Sequence, residues 1–289
     1  MACLAVFNQK GGVAKTTTTL NLAGALARAG NAPLAIDLDP QGHLTALSGL
    51  TPADSASSIY AFYRDHRQLA DLQFAVAGRG SIIAAHLELA KVDTQFGKGP
   101  NILNRLRLGL QREHLLHGSQ PVVIDCSPML GVLSLSAIFA ADRVLVPVSA
   151  DYLAMKSAMQ VEKTLNALAP VLKQRIARCY VITRFDGRRR MSWDIDRAMR
   201  AHFGAEVCTT RIHENVALAE SPYANRDVFT HAPNSRGAQD YQGLYEELQQ
   251  LDFLPAQAMP SLAVQDPQAQ ALLSRLLTKP AKAVKIAGT

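Results

Sequence analysis

Apolar and polar positions along the chain fall into two alternating rhythms. Short, almost wholly apolar runs recur near residues 3–8, 33–38, 72–77, 121–126, 143–148 and 177–183. Runs of this length read as strands covered on both faces. Between several of them apolar residues return every three to four positions, at 16–29, 100–116, 132–141, 152–170 and 192–203. That spacing predicts helices with one buried stripe. Strands alternating with helices predict an α/β fold, a mostly parallel open sheet with helices on both faces. The stretch from Leu50 to Gly80 is less regular, with a helix predicted at Ser57 to Leu69. Residues 236–251 place Tyr241, Leu244, Tyr245, Leu248 and Leu251 at helical spacing, as core contacts.

The pattern ends near Asp252-Phe253-Leu254-Pro255, so residues 1–251 form one domain. Residues 252–289 read as an arm, with Pro255, Pro260 and Pro267 among Ala and Gln. Within it Ala269 to Leu277 carries Leu272, Leu273, Leu276 and Leu277 at the spacing of a short amphipathic helix, which Pro280 would stop. A basic tail, expected to be disordered, follows.

Composition changes this picture little. A chain of 289 residues, 48% hydrophobic and 19% charged, is long and apolar enough for one large core, which excludes an intrinsically disordered protein. No apolar run reaches the roughly 18–20 residues that span a bilayer. The N-terminus enters a strand at once without a secretion-signal pattern, so a cytoplasmic location is expected. Cys3, Cys126, Cys179 and Cys208 stand singly, mostly in apolar runs, and suggest small core fillers rather than a metal site or a disulfide framework. The net charge of +6 is uneven: Arg184, Arg188, Arg189 and Arg190 cluster, and the chain after Asp266 is purely basic. Such a distribution favours a polyanionic partner.

The chemistry concentrates in Lys10-Gly11-Gly12-Val13-Ala14-Lys15-Thr16-Thr17, between the run Leu4-Ala5-Val6-Phe7 and a helical pattern. A glycine-rich turn between strand and helix lets backbone N–H groups approach phosphate oxygens. Lys15 would reach the β- and γ-phosphates and the Thr16 hydroxyl would sit on Mg²⁺. The strict pattern G-x-x-x-x-G-K-[ST] is broken at Gln9 and Ala14. What matches is K-G-G-x-x-K-[ST], with Lys10 as a second lysine. A Cβ at Ala14 would crowd the phosphates or demand an unfavourable backbone angle. Two further apolar strands end in carboxylates, Leu34-Ala35-Ile36-Asp37-Leu38-Asp39 and Val122-Val123-Ile124-Asp125. Open α/β sheets bind ligands at the carboxyl ends of their strands.

With these parts in order, the chain resembles the ParA family of partition ATPases, a branch of the deviant Walker A P-loop NTPases that includes MinD. The resemblance runs from about residue 3 to 251. It is carried by the loop, by Asp-Leu-Asp-Pro-Gln-Gly at 37–42 and by Ile124-Asp125-Cys126-Ser127-Pro128, where Ser127 replaces a proline. Ala141-Asp142-Arg143-Val144-Leu145-Val146-Pro147-Val148, Thr183-Arg184-Phe185-Asp186-Gly187-Arg188 and Asn215-Val216-Ala217-Leu218-Ala219-Glu220-Ser221-Pro222 continue it.

The resemblance implies roles. ATP and Mg²⁺ are the cofactors, with Gly11, Gly12, Val13, Ala14, Lys15, Thr16, Thr17, Arg184 and His213 on the nucleotide. Thr16, Asp37 and Asp125 serve the metal, and Asp39 orients the attacking water. Lys10 crosses a homodimer interface to the neighbouring subunit's phosphates, beside Lys15. Arg188, with Arg189 and Arg190, binds DNA without sequence preference, although Ala217 stands where the family has a second basic contact. The function implied is a slow, partner-stimulated ATPase that cycles between monomer and ATP-bound dimer. It would partition or position cargo on the nucleoid through a ParB-like adaptor. Two alternatives stay open: a MinD-like membrane cycle using the helix at 269–277, and a metabolic enzyme of the same fold.

Overall fold

The computed structural model describes residues 3–97, 100–116, 120–172 and 176–255. The predicted helix at 269–277 and the basic tail lie outside the described residues. Eight strands, β1 (Cys3–Val6), β2 (Leu34–Asp37), β3 (Gln73–Val76), β4 (Gly80–Ile83), β5 (Val122–Asp125), β6 (Arg143–Ser149), β7 (Ala177–Phe185) and β8 (Val207–His213), form one sheet. Their order is β3-β4-β2-β5-β1-β6-β7-β8. All neighbours are parallel except β3 and β4, which pair as an antiparallel edge hairpin.

Alternation along the strands sends side chains to two layers. Ala5, Ile36 and Ile124 face a core shared with helices Ile59–Asp65, Arg105–Arg112, Val132–Ala140, Ala154–Leu172 and Arg190–Phe203. Leu4, Val6, Val123 and Leu145 face a second core with helices Lys15–Arg28 and Arg236–Gln250. Each fully buried Leu or Val contributes about 1.5–3 kcal/mol relative to exposure. The strand runs are therefore apolar throughout because both faces are covered. Phe253 and Leu254, beyond the predicted end of the domain, are buried in the second core. The four cysteines are all buried and free. Among the described residues no helix is long and apolar enough to cross a membrane.

The predicted helix at 100–116 divides into Pro100–Leu103 and Arg105–Arg112, and that at 57–69 shortens to Ile59–Asp65. Strands β4 and β8 have no counterpart in the hydrophobic pattern. Strand β4 has only four residues and opens on Gly80 (φ 81°), where an added Cβ would lie 2.2 Å from the Pro33 carbonyl. A glycine that permits this approach looks like a turn residue in sequence. Strand β8 is an edge with exposed Thr209 and half-exposed Thr210 and Arg211.

The register fixes the site. Val6 pairs with Asp125, and Asp37 pairs with the same residue from the other side. The loop after β1 and the carboxylates ending β2 and β5 therefore meet at one edge of the sheet.

Candidate functional site

The loop is pinned at both ends by side chains the pattern did not single out. Asn8 Nδ2 donates to the Pro147 carbonyl at 2.8 Å, and its Oδ1 accepts from Lys10 N at 3.0 Å. Thr183 Oγ1 donates to the Val13 carbonyl at 3.1 Å. The helix that follows starts at Lys15 with no side-chain cap and no acid in its first turn. Its leading N–H groups and the positive end of its dipole are thus free for an anion. An added Cβ at Gly11 or Gly12 would meet nothing within 4 Å, so the loop encloses open space.

Ala14, the N-cap, has φ 66° and ψ 33°. The left-handed region costs a residue with a Cβ roughly 1–2 kcal/mol. Ala14→Gly is expected to raise the melting temperature of the ligand-free protein by about 2–4 °C, the part left after glycine's extra freedom in the unfolded chain. Thermal unfolding checks this, and an unchanged or lower midpoint contradicts it.

Lys15 is buried, and its Nζ donates to the Lys10 carbonyl at 3.0 Å. Burial lowers its pKa, opposed by the charges of Asp125, Cys126 and Asp39. Lys10 Nζ is paired with Asp151 of its own chain and donates to Ser149 Oγ at 3.2 Å. Neither contact was legible in sequence.

Asp37 is fully buried. It accepts hydrogen bonds from Asp39 N at 3.1 Å, Thr45 N at 2.8 Å and Thr45 Oγ1 at 2.7 Å. Burial outweighs these bonds and pushes its pKa up to about 6. Asp125 is also buried, and burial and the Asp37 charge hold its pKa well above the carboxylate range despite a hydrogen bond from Thr16. Its Oδ2 has no hydrogen-bond partner. An orphaned buried carboxylate oxygen beside a hydroxyl fits a hard, oxygen-seeking cation such as Mg²⁺. Among the described residues no three carboxylate, imidazole or thiol groups converge on one point. Asp39 stands at the rim, 9% exposed, with Oδ1 accepting from Gln41 N at 3.0 Å.

A cavity of about 690 Å³ opens beside the loop, lined by Gly12, Ala14, Thr17, Arg184, His213 and Tyr241 among others. Its size is that of a small-ligand site. Tyr241 and Thr18 join at 3.1 Å. His213 is set by a residue that sequence alone did not mark: Asp240 Oδ2 accepts from His213 N at 2.8 Å and lies 2.9 Å from Nδ1. Arg184, like Ala14, has a left-handed backbone (φ 51°). It lies 3.4 Å from Glu214.

Arg188 lines the same cavity, so the two predicted groups of residues adjoin. Arg188 Nε and Nη2 form a fork on Asp186 at 2.9 and 3.0 Å, and these bonds draw the Asp186 pKa down to about 2. Arg189 lies 3.2 Å from Asp186 and 3.5 Å from Glu214, and Arg190 lies 3.8 Å from Asp194. The arginines remain exposed, with their charge partly offset by three acids.

Strand order, uncapped loop, paired carboxylates and adjoining cavity define a P-loop nucleotide-binding protein. A family model described as an AAA domain matches residues 1–177. The chain is 36% identical over 246 residues to the chromosome-partitioning ATPase Soj of Thermus thermophilus, covering 85% of this chain and 94% of that one. It is 31% identical over 247 residues to the sporulation initiation inhibitor protein Soj of Bacillus subtilis, covering 85% and 97%. Among solved structures, cobyrinic acid a,c-diamide synthase of Mycobacterium smegmatis with bound ADP and magnesium matches with a TM-score of 0.74 and 26% identity, over 88% of this chain and 96% of that one. The chain belongs to the ParA family of partition ATPases.

Proposed function

We propose that this ATPase switches from monomer to dimer on binding ATP with Mg²⁺, and that the dimer holds DNA non-specifically while positioning a cargo. The observation that carries the reading is the convergence of Lys15, Thr16, Asp37, Asp39 and Asp125 on one uncapped loop, with the Asp125 Oδ2 left open. Lys15 and the loop N–H groups hold phosphates, and Thr17 supports them at the cavity side. Thr16, Asp37 and Asp125 hold Mg²⁺, which neutralises phosphate charge. Asp39 accepts a hydrogen bond from the attacking water and aligns it. Phosphoryl transfer to water needs this positioning and charge neutralisation more than covalent help.

The base end lies in the cavity. His213 lines that end, with its Nδ1 held by Asp240 at 2.9 Å and its Nε2 3.5 Å from Arg236 Nη2. Lys10 leaves Asp151 to reach the partner subunit's phosphates. Arg188, Arg189 and Arg190 meet DNA phosphates, and a ParB-like adaptor stimulates turnover at the nucleoid, in the cytoplasm.

Light scattering tests the switch. An Asp39→Ala variant, which binds ATP but turns over slowly, is expected to double in mass with ATP and Mg²⁺. An unchanged mass overturns the cycle. In the same state, Arg188→Ala/Arg189→Ala/Arg190→Ala is expected to weaken DNA binding and to flatten its log–log salt dependence, by roughly 0.9 for each DNA phosphate no longer neutralised. An unaltered slope moves the DNA surface elsewhere.

A further inference from the structure

A second cavity, of about 550 Å³, lies between helix Ile59–Asp65 with the turn after it and helix Arg105–Arg112. None of its lining residues belongs to the nucleotide cavity. Three arginines, Arg67, Arg105 and Arg112, and His66 stand on its walls. Its one acidic lining residue, Glu113, is already committed: its two oxygens accept from Leu69 N and Ala70 N, each at 2.7 Å. Arg67 reaches only the edge of pairing, 3.9 Å from Asp71. Arg105 and Arg112 form no ion pair among the described residues.

Arg105 is the anchor. Its Nη2 donates to the Phe62 carbonyl at 2.9 Å and to His66 Nδ1 at 2.8 Å, and its guanidinium lies 5.6 Å above the Phe62 ring. Burial lowers its pKa, opposed by the Tyr63 hydroxyl. Because His66 Nδ1 accepts, its Nε2 carries the proton and is a donor. His66 is the C-cap of helix Ile59–Asp65 and has the left-handed backbone (φ 57°) that commonly ends a helix. Gly109 gives helix Arg105–Arg112 its close seat, since a Cβ there would lie 2.7 Å from the Phe62 ring. The walls offer guanidinium and imidazole N–H donors in excess of acceptors, around a space of small-ligand size. The complement is an acceptor-only anion with several oxygens.

We propose that this cavity is a binding site for a small phosphate-bearing molecule, separate from the nucleotide loop. The test uses full-length protein saturated with Mg²⁺ and a non-hydrolysable ATP analogue, so that the loop is filled. Inorganic phosphate is titrated in by calorimetry at fixed ionic strength. One phosphate is expected to bind per chain. Arg112→Glu and Arg105→Gln are each expected to lower its affinity roughly tenfold or more. Lys163→Glu, an equal change of charge on an exposed helix face elsewhere, should leave it unchanged. No phosphate binding, or equal losses in Arg112→Glu and Lys163→Glu, overturns the site. A short DNA duplex supplies the second arm. If it displaces phosphate at equal phosphate concentration, and Arg112→Glu weakens the duplex as much as phosphate, the occupant is the DNA backbone and the small-molecule assignment falls.

Discussion

Asp125→Asn is expected to stabilise the ligand-free protein at neutral pH while removing the gain that Mg²⁺ and nucleotide give the native chain. Asp125 is buried next to Asp37 on the neighbouring strand, with Oδ2 unpartnered and its pKa held well above the carboxylate range. A buried carboxylate with a raised pKa opposes folding wherever it ionises. The amide keeps an oxygen for Thr16 and removes the charge. The expected sign is a rise in melting temperature of the ligand-free protein at neutral pH. The sign follows from linkage. Asp37 has a folded pKa of about 6 against an ordinary 3.8, so the native state holds more protons between those values. Asp37's contribution to the stability of the metal-free chain therefore falls as pH rises from about 4 to about 6, relative to an Asp37→Asn variant. Thermal unfolding across pH, with and without Mg²⁺ and ADP, checks both statements. A variant that melts lower than the native chain at neutral pH contradicts the account.

Lys15→Ala is expected to lower nucleotide affinity by roughly a hundredfold or more while leaving the ligand-free fold intact. The ammonium is buried, and its closest contact is the Lys10 carbonyl rather than a carboxylate. Charge-assisted bonds to phosphate contribute about 1.5–3 kcal/mol each, and Lys15 would supply more than one. Removing an unpaired buried charge costs the apo fold little. Titration with a fluorescent ATP analogue reads the first effect and thermal unfolding the second. Native-like affinity in the variant would place the phosphates elsewhere.

How much of the molecule was legible in sequence depends on what each residue's role leaves in the chain. The convergence of the loop with Asp37 and Asp125 was legible because strand, turn and helix are contiguous and each carboxylate ends an apolar run. The two-faced parallel sheet was legible because burial on both sides makes strands apolar throughout. Thr45, Asp151 and Asp240 were not legible. Each acts across a gap the fold closes, Thr45 on Asp37, Asp151 on Lys10 and Asp240 on His213. A polar residue at such a position looks like any helix or loop surface. Strand β8 escaped because it is a sheet edge with exposed and half-exposed positions, and β4 because its four residues open on a glycine. Ala14 is the reverse case: sequence marked it as anomalous, and its left-handed backbone is where the strain resides.

The Lys10–Asp151 pair sets a concentration scale. In the proposed dimer each subunit gives up one such pair before its lysine can cross. A half-exposed ion pair contributes at most about 1 kcal/mol. Two of them raise the dissociation constant of the dimer by up to roughly thirtyfold over a chain whose lysine is already released. Copy number relative to that constant would then set the assembled fraction, and Asp151→Asn would lower the concentration at which half the chains are dimers.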